Sequence, residues 1–296
     1  MADELRIDSH PSLERPVLIA AFRGWNDGGQ GASLAGAYLA RAWAAIEFAS
    51  IDPENFYDFQ ATRPMVSLVD GSMRQIEWPK NTFQYAPLPG AGRDAIIMLG
   101  VEPNLRWRTF SEHVMRVAKE FDVELVVTLG SLLADVPHTR PAPVTGSATD
   151  PELIEQLGLQ ASRYEGPTGV VGVLHDACVR AGIASASLWA AVPHYVSLTP
   201  SPRAAKALVD RLAGLLGADI DTVELDEAAE AYALQVSEAV SVDEETSAYV
   251  QDLERRVDDL ADEADLPSGD AIAAELTRYL RERDNDQSDG DVAREQ

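Results

Sequence analysis

The segment Val17-Leu18-Ile19-Ala20-Ala21-Phe22-Arg23-Gly24-Trp25-Asn26-Asp27-Gly28-Gly29-Gln30-Gly31, with the Ala-rich run that follows to Leu39, decides the fold of this chain. Val17–Ala21 is a short, continuously apolar run and reads as a buried strand. It breaks into a polar, glycine-rich turn, after which a helix pattern starts near Ala32. A strand, a glycine-rich turn and a helix N-terminus form the first βα junction of an α/β fold, where outward-pointing N–H groups favour ligands. The turn is not a dinucleotide fingerprint. Counting from Gly24, the third residue is Asn26; counting from Gly29, the sixth is Leu34. No Gly-Lys-Ser/Thr follows, so it is not a phosphate-binding Walker loop either.

Working outward, strands are expected at Ile46–Ser50, Met65–Val69, Arg74–Trp78, Ala95–Val101, Glu124–Leu129 and Ser187–Val192. Helices are expected over Ala32–Ala45, Leu105–Phe121, Pro151–Leu159, Thr168–Ala181 and Pro202–Leu216. The runs Ala95–Leu99 and Leu125–Leu129 are apolar throughout, as suits strands covered by helices on both faces. Asp70-Gly71 between two short strands is a hairpin signal. The expected architecture is a mostly parallel sheet sandwiched by helices, with an antiparallel hairpin inserted.

Composition narrows the function. The chain has 296 residues, 49 acidic against 24 basic side chains, and a net charge of −25. Such acidity argues against nucleic acid and anionic membrane as partners. No apolar run approaches the roughly 18 residues of a membrane span, and the opening MADELRIDSH is too polar for a signal peptide. The single Cys178 excludes a disulfide framework and fits a reducing cytoplasm. No His-x-x-x-His spacing occurs among the five histidines, so neither a metal nor a cofactor is expected.

The charge is unevenly spread. Asp221–Gln296 holds 24 acidic and 6 basic side chains, a net of −18, which leaves −7 for the preceding residues. In this acidic quarter Leu225, Ala229, Tyr232, Val236 and Val240 recur at helical spacing, as do Tyr249, Leu253, Val257, Leu260 and Ala264. A third stripe runs Ile272, Leu276, Tyr279 and Leu280. The expected organisation is an N-terminal arm over 1–15, an α/β body over 16–218, an acidic helical extension over 219–283 and a disordered tail over 284–296.

Several loops follow the carboxyl ends of expected strands, where an open α/β sheet places its crevice. They carry the candidate binding residues Arg23, Trp25, Asn26, Asp27, Glu102, His138, Arg140 and His194. Carboxylates, histidines and an arginine converging on one edge make an acid/base site with an anion anchor. Each residue also has a plainer reading. Asp27 suits a helix cap, Trp25 a packing anchor, His138 and Arg140 the bracing of a Pro-bounded loop, and His194 a bond to a buried carbonyl. Gly130-Ser131 lacks the flanking pattern of a nucleophile elbow, so no catalytic residue is assigned.

Three stretches carry a resemblance: FRGWNDGGQGASLAGAYL, VVTLGSLLADVPHTRPAPVTGSA and YEGPTGVVGVLHDACVRAGIASASLWAAVPHY. Over roughly Pro16 to Leu216 the chain resembles the proteasome assembly chaperone-2-like family, in its longer actinobacterial branch. The resemblance implies an α/β fold similar to nucleoside phosphorylases and peptidyl-tRNA hydrolase. It also implies a homo-oligomer, with a trimer as first guess, and protein partners such as proteasome subunits. Two features depart from it. The chain ends Asp291-Val292-Ala293-Arg294-Glu295-Gln296, without the hydrophobic-Tyr-any-residue tail that relatives use on proteasome rings. The acidic helices also lie outside the minimal chaperone fold. Two functions stand: a non-catalytic binding protein acting through protein–protein contacts, or a small-molecule binder or enzyme of nucleoside-phosphorylase-like architecture.

Overall fold

Four strands lie parallel at the centre of the molecule: β2 (Val17–Arg23), β7 (Arg93–Val101), β8 (Leu125–Ala134) and β11 (Ala184–Pro193). The computed structural model describes residues 3–70, 73–148, 150–161, 164–196 and 198–262. β2 sits between β7 and β8, with Val17 level with Ala95 on one side and Leu125 on the other. Six of its seven residues are buried, each large one contributing about 1.5–3 kcal/mol of burial. Both neighbours supply its hydrogen bonds, so a wholly apolar strand is stable only here.

The sheet has nine strands, in the order β1 (Leu5–Ile7), β3 (Ile46–Ile51), β6 (Asn81–Leu88), β7, β2, β8, β11, β9 (Val144–Ala148), β10 (Gln160–Ala161). β6 pairs antiparallel with β7, β3 with β6 and β1 with β3, and on the other side β9 pairs antiparallel with β11. The sheet is therefore mixed, with a parallel centre. β4 (Met65–Val69) and β5 (Met73–Glu77) form the expected hairpin, hydrogen-bonded only to each other.

Helices cover both faces. On one lie α1 (Gly31–Ala42) and α5 (Pro202–Leu216), packed over Val17, Ile19, Ile97, Val127 and Leu188. On the other lie α2 (Trp107–Glu120) and α4 (Val170–Ala181), over Leu18, Ile96, Met98 and Val126. The short α3 (Pro151–Leu157) precedes β10. Gly36 sets the approach of α1 to the sheet: a Cβ there would fall 2.7 Å from Leu99 Cδ2 and 2.9 Å from the Ala21 methyl.

The apolar stripe of the acidic quarter forms α6 (Val223–Ser241) and α7 (Glu244–Asp262). Leu225, Ala229, Tyr232 and Val236 are all buried, and Leu225 joins the core beneath α1 and α5. Tyr38 Oη donates to the Asp221 carbonyl at 2.8 Å and Trp43 Nε1 to that of Asp219 at 3.3 Å, which fixes the entry to α6. Val250 and Leu253 bury the inner face of α7. The stripe from Ile272 to Leu280 and the expected tail over 284–296 lie outside the described residues.

Candidate functional site: the carboxyl edge of the sheet and its helical cover

Because β2, β7, β8 and β11 run parallel, the loops after all four open on one edge. There the candidate residues divide into two hydrogen-bonded groups.

The first group is centred on the carboxylate of Glu102, just past β7. It accepts from the backbone N–H of Trp25 (2.9 Å), from Asn26 Nδ2 (3.1 Å) and from the N–H of Val170 (2.8 Å). Val170 opens α4, so the negative charge also faces the positive end of a helix. Gly24 makes room for this contact. It adopts φ 149°, and a Cβ there would lie 2.7 Å from the Glu102 Cβ. Asp27 is buried beside it. Its Oδ1 accepts from the N–H groups of Ala32 (2.9 Å) and Ser33 (3.1 Å), and its Oδ2 from Ser33 Oγ (2.6 Å). Burial raises the Asp27 carboxyl above the usual carboxylate range, against the pull of these bonds. Asp27 thus satisfies the first turn of α1. Ser131 braces the same turn, donating to the Gly28 carbonyl at 2.8 Å and accepting from Ala32 N at 3.2 Å. Arg23 and Trp25 project outward. The Trp25 ring is no packing anchor, since the residue is 46% exposed: its backbone N–H is what the turn uses.

The second group lies between the loops after β8 and β11 and the two acidic helices. His138 is 2% exposed. Its Nδ1 lies 2.8 Å from Tyr195 Oη and its Nε2 2.9 Å from Ser237 Oγ on α6. Burial holds its pKa below the ordinary histidine value, with Glu254 opposing that shift. The Tyr195 hydroxyl is pushed up to about 12, again chiefly by burial. His194 Nδ1 sits 3.0 Å from Asp135 Oδ1, which also accepts from Tyr249 Oη on α7 at 2.8 Å. The rings of His194, Tyr195 and Tyr249 meet edge to face at 5.7–6.0 Å, an arrangement worth about 0.5–1.5 kcal/mol per pair beyond area burial. Arg140 grips Asp258 of α7 with two parallel bonds, 2.8 and 2.7 Å, and Thr139 donates to Glu254.

None of these bonds joins the two groups, which stand side by side along the edge. The cavity beside His138 and Arg140, bounded by Ser201, Arg203 and Tyr232, measures about 10 Å³. That is room for about one water, too little for a substrate. A larger groove of about 490 Å³ runs past Arg23, Ser33 and Lys80.

Tyr249, Ser237 and Asp258 escape local reading because their partners lie about a hundred residues away. His175 is a further omission. From α4 it reaches Thr128 Oγ1 on β8 with Nε2 and Ser185 Oγ on β11 with Nδ1, both at 3.0 Å. Burial pushes it down to about 4. Helical spacing placed it one position beyond the buried Leu174, a signal available only once the register of α4 is known. Among the described residues no group of three His, Cys, Asp or Glu is placed to hold a metal, and no helix is long and apolar enough to cross a membrane.

This fold and edge define an α/β protein with a mixed, helix-sandwiched sheet. Residues 21–240 match the PAC2 family, and the chain belongs to it. It is 46% identical to a PAC2 family protein from Streptomyces avermitilis, covering 79% of this chain and 99% of that one with a TM-score of 0.72. The same identity, coverage and TM-score relate it to a proteasome-assembly chaperone homologue from Mycobacterium tuberculosis. A third structure, a protein of unknown function also from Mycobacterium tuberculosis, is 26% identical with a TM-score of 0.78, covering 88% of this chain and 90% of that one. No curated protein matches the sequence.

Proposed function

We propose that this chain is a non-catalytic, proteasome-assembly-chaperone-like protein that works through protein–protein contacts, as a homo-oligomer in the cytoplasm. One observation carries the reading. Except for Arg23 and Trp25, the polar side chains that sequence reasoning offers as a catalytic or binding set each have their hydrogen-bonding groups engaged by the protein itself. Glu102 and Asp27 tie down helix starts, while His138, His194 and Arg140 hold α6 and α7 on the body. Kinship with a proteasome-assembly chaperone homologue supports the partner class, proteasome subunits. In this reading residues 16–218 are the chaperone body and 219–283 an extension that covers its carboxyl edge.

Coexpression with the α and β subunits of a 20S proteasome from a PAC2-bearing bacterium tests this. The expected result is co-purification of the chain with half-assembled particles and its absence from mature ones. Identical assembly rates with and without the chain, and no complex on native gels, would refute it.

The second reading, a small-molecule binder, is favoured only by the groove at Arg23 and Lys80, whose cationic heads suit an anionic ligand. Lys80 is already paired with Glu47 at 3.3 Å, which leaves Arg23 to anchor such a ligand.

A further inference from the structure

Among the described residues the hairpin of β4 and β5 makes no hydrogen bond to the nine-stranded sheet. Every residue of both strands is exposed or half-buried. A lone two-stranded hairpin is marginally stable at best in water, and this one carries side chains that normally lie inside a protein. Of the thirteen large apolar residues exposed among the described residues, six fall between Met65 and Trp78.

The register sorts them. Val66 stands opposite Ile76, and Leu68 opposite Arg74. Directly opposed residues share a face, so Val66, Leu68 and Ile76 form one contiguous apolar surface with Arg74 at its corner. They are 58%, 62% and 54% exposed. Met65 and Met73 lie on the opposite face, and Trp78, which follows directly after β5, packs its ring edge-on against Phe59.

Charge says what covers this surface. The segment from Met65 to Lys80 holds Asp70, Arg74, Glu77 and Lys80, a net of zero in a chain of −25. Two copies of so acidic a chain repel at most points of contact, and a neutral apolar face lets them meet without opposing like charges. A basic partner is drawn instead to the acidic helices. The three side chains of that face expose on the order of 100 Å² each, about 300 Å², which makes them the apolar centre of a contact whose standard size is ~800 Å² per partner.

We propose that the β4–β5 hairpin is the surface through which one copy of this chain contacts another. The inference rests on the self-association stated above and names its site. Sedimentation velocity on the full chain and on the double variant Leu68→Glu/Ile76→Glu tests it. The wild type is expected at a multiple of 32.0 kDa, and the variant at the mass of one chain with an unchanged circular dichroism spectrum. A folded variant that keeps the wild-type mass overturns the hairpin's role and leaves self-association standing. A wild type that runs as one chain at tens of micromolar removes both. Hydrogen exchange on the unmodified protein gives a second readout, independent of how the variant folds. Amides of Met73–Glu77 are expected to exchange at least tenfold more slowly in concentrated than in dissociated samples. No difference across a dilution that halves the mass would overturn the proposal.

Discussion

Acidification should weaken this protein through His175. Its two ring nitrogens serve Thr128 and Ser185, so α4 covers a polar stripe of the sheet that would otherwise be left unsatisfied. The neutral ring fits that place; an imidazolium does not. With a folded pKa of about 4 against an unfolded value of about 6.5, the folded state binds fewer protons within that interval. Unfolding then takes up a proton, so stability is full above pH 6.5 and falls as pH drops toward 4. The whole gap is worth about 3 kcal/mol, and roughly half of it is reached by about pH 5.2. The residue is only half-buried by area, and water reaching the ring trims that to roughly 1 kcal/mol. Urea unfolding at about pH 7.5 and pH 5.2, above the isoelectric point of 4.4, measures the loss. His175→Gln keeps a donor and an acceptor without titrating, so the wild type should lose that much more than the variant. Equal losses in both proteins would refute the reasoning, because His138 and every carboxylate titrate in both.

Other expectations follow from the same contacts. Glu102→Gln replaces an acceptor oxygen by an NH₂ facing N–H donors, and should cost about 1–3 kcal/mol in thermal or chemical unfolding. Gly36→Val drives a side chain into Leu99 and Ala21 and should cost about 1–3 kcal/mol or more by overpacking, read as a lower unfolding midpoint. Leu253→Ala, at a residue 2% exposed, should cost about 2–5 kcal/mol of local stability; limited proteolysis should then cleave within α7 while β2 and β8 stay protected. Deleting residues 219–296 should expose the surface under Leu225, Tyr232 and Leu253 and cause aggregation, followed by light scattering; a soluble truncated body would show that these helices are not needed to cover it.

The central strands are legible because their chemistry allows one environment: Val17–Ala21, Ala95–Leu99 and Leu125–Leu129 bury both faces and say so locally. β6 escapes detection because Asn81, Gln84 and Pro87 interrupt it. Its place is fixed by antiparallel pairing with β7, which no local pattern encodes. β8 runs on through Ser131 to Ala134, where Gly130-Ser131 reads as the start of a loop; the parallel partner β11 carries the pairing to Pro193. The stripes of α6 and α7 are visible at helical spacing. What they cover is not, since Ser237 meets His138 and Asp258 meets Arg140 across about a hundred residues of chain. Asp27 shows the same limit from the other side. Both of its readings fit the sequence, and only the positions of Ala32, Ser33 and Ser131 reveal the cap.

The nine-stranded sheet ends in β1, three residues long, and β10, two residues long. Stubs of this size offer an incoming strand too few free N–H and C=O groups to grip. At both ends the main sheet therefore gives an incoming strand little backbone to extend, even when the protein is crowded. The longer open edges are those of β4 and β5, so any backbone pairing between copies falls to the hairpin and not to the main sheet.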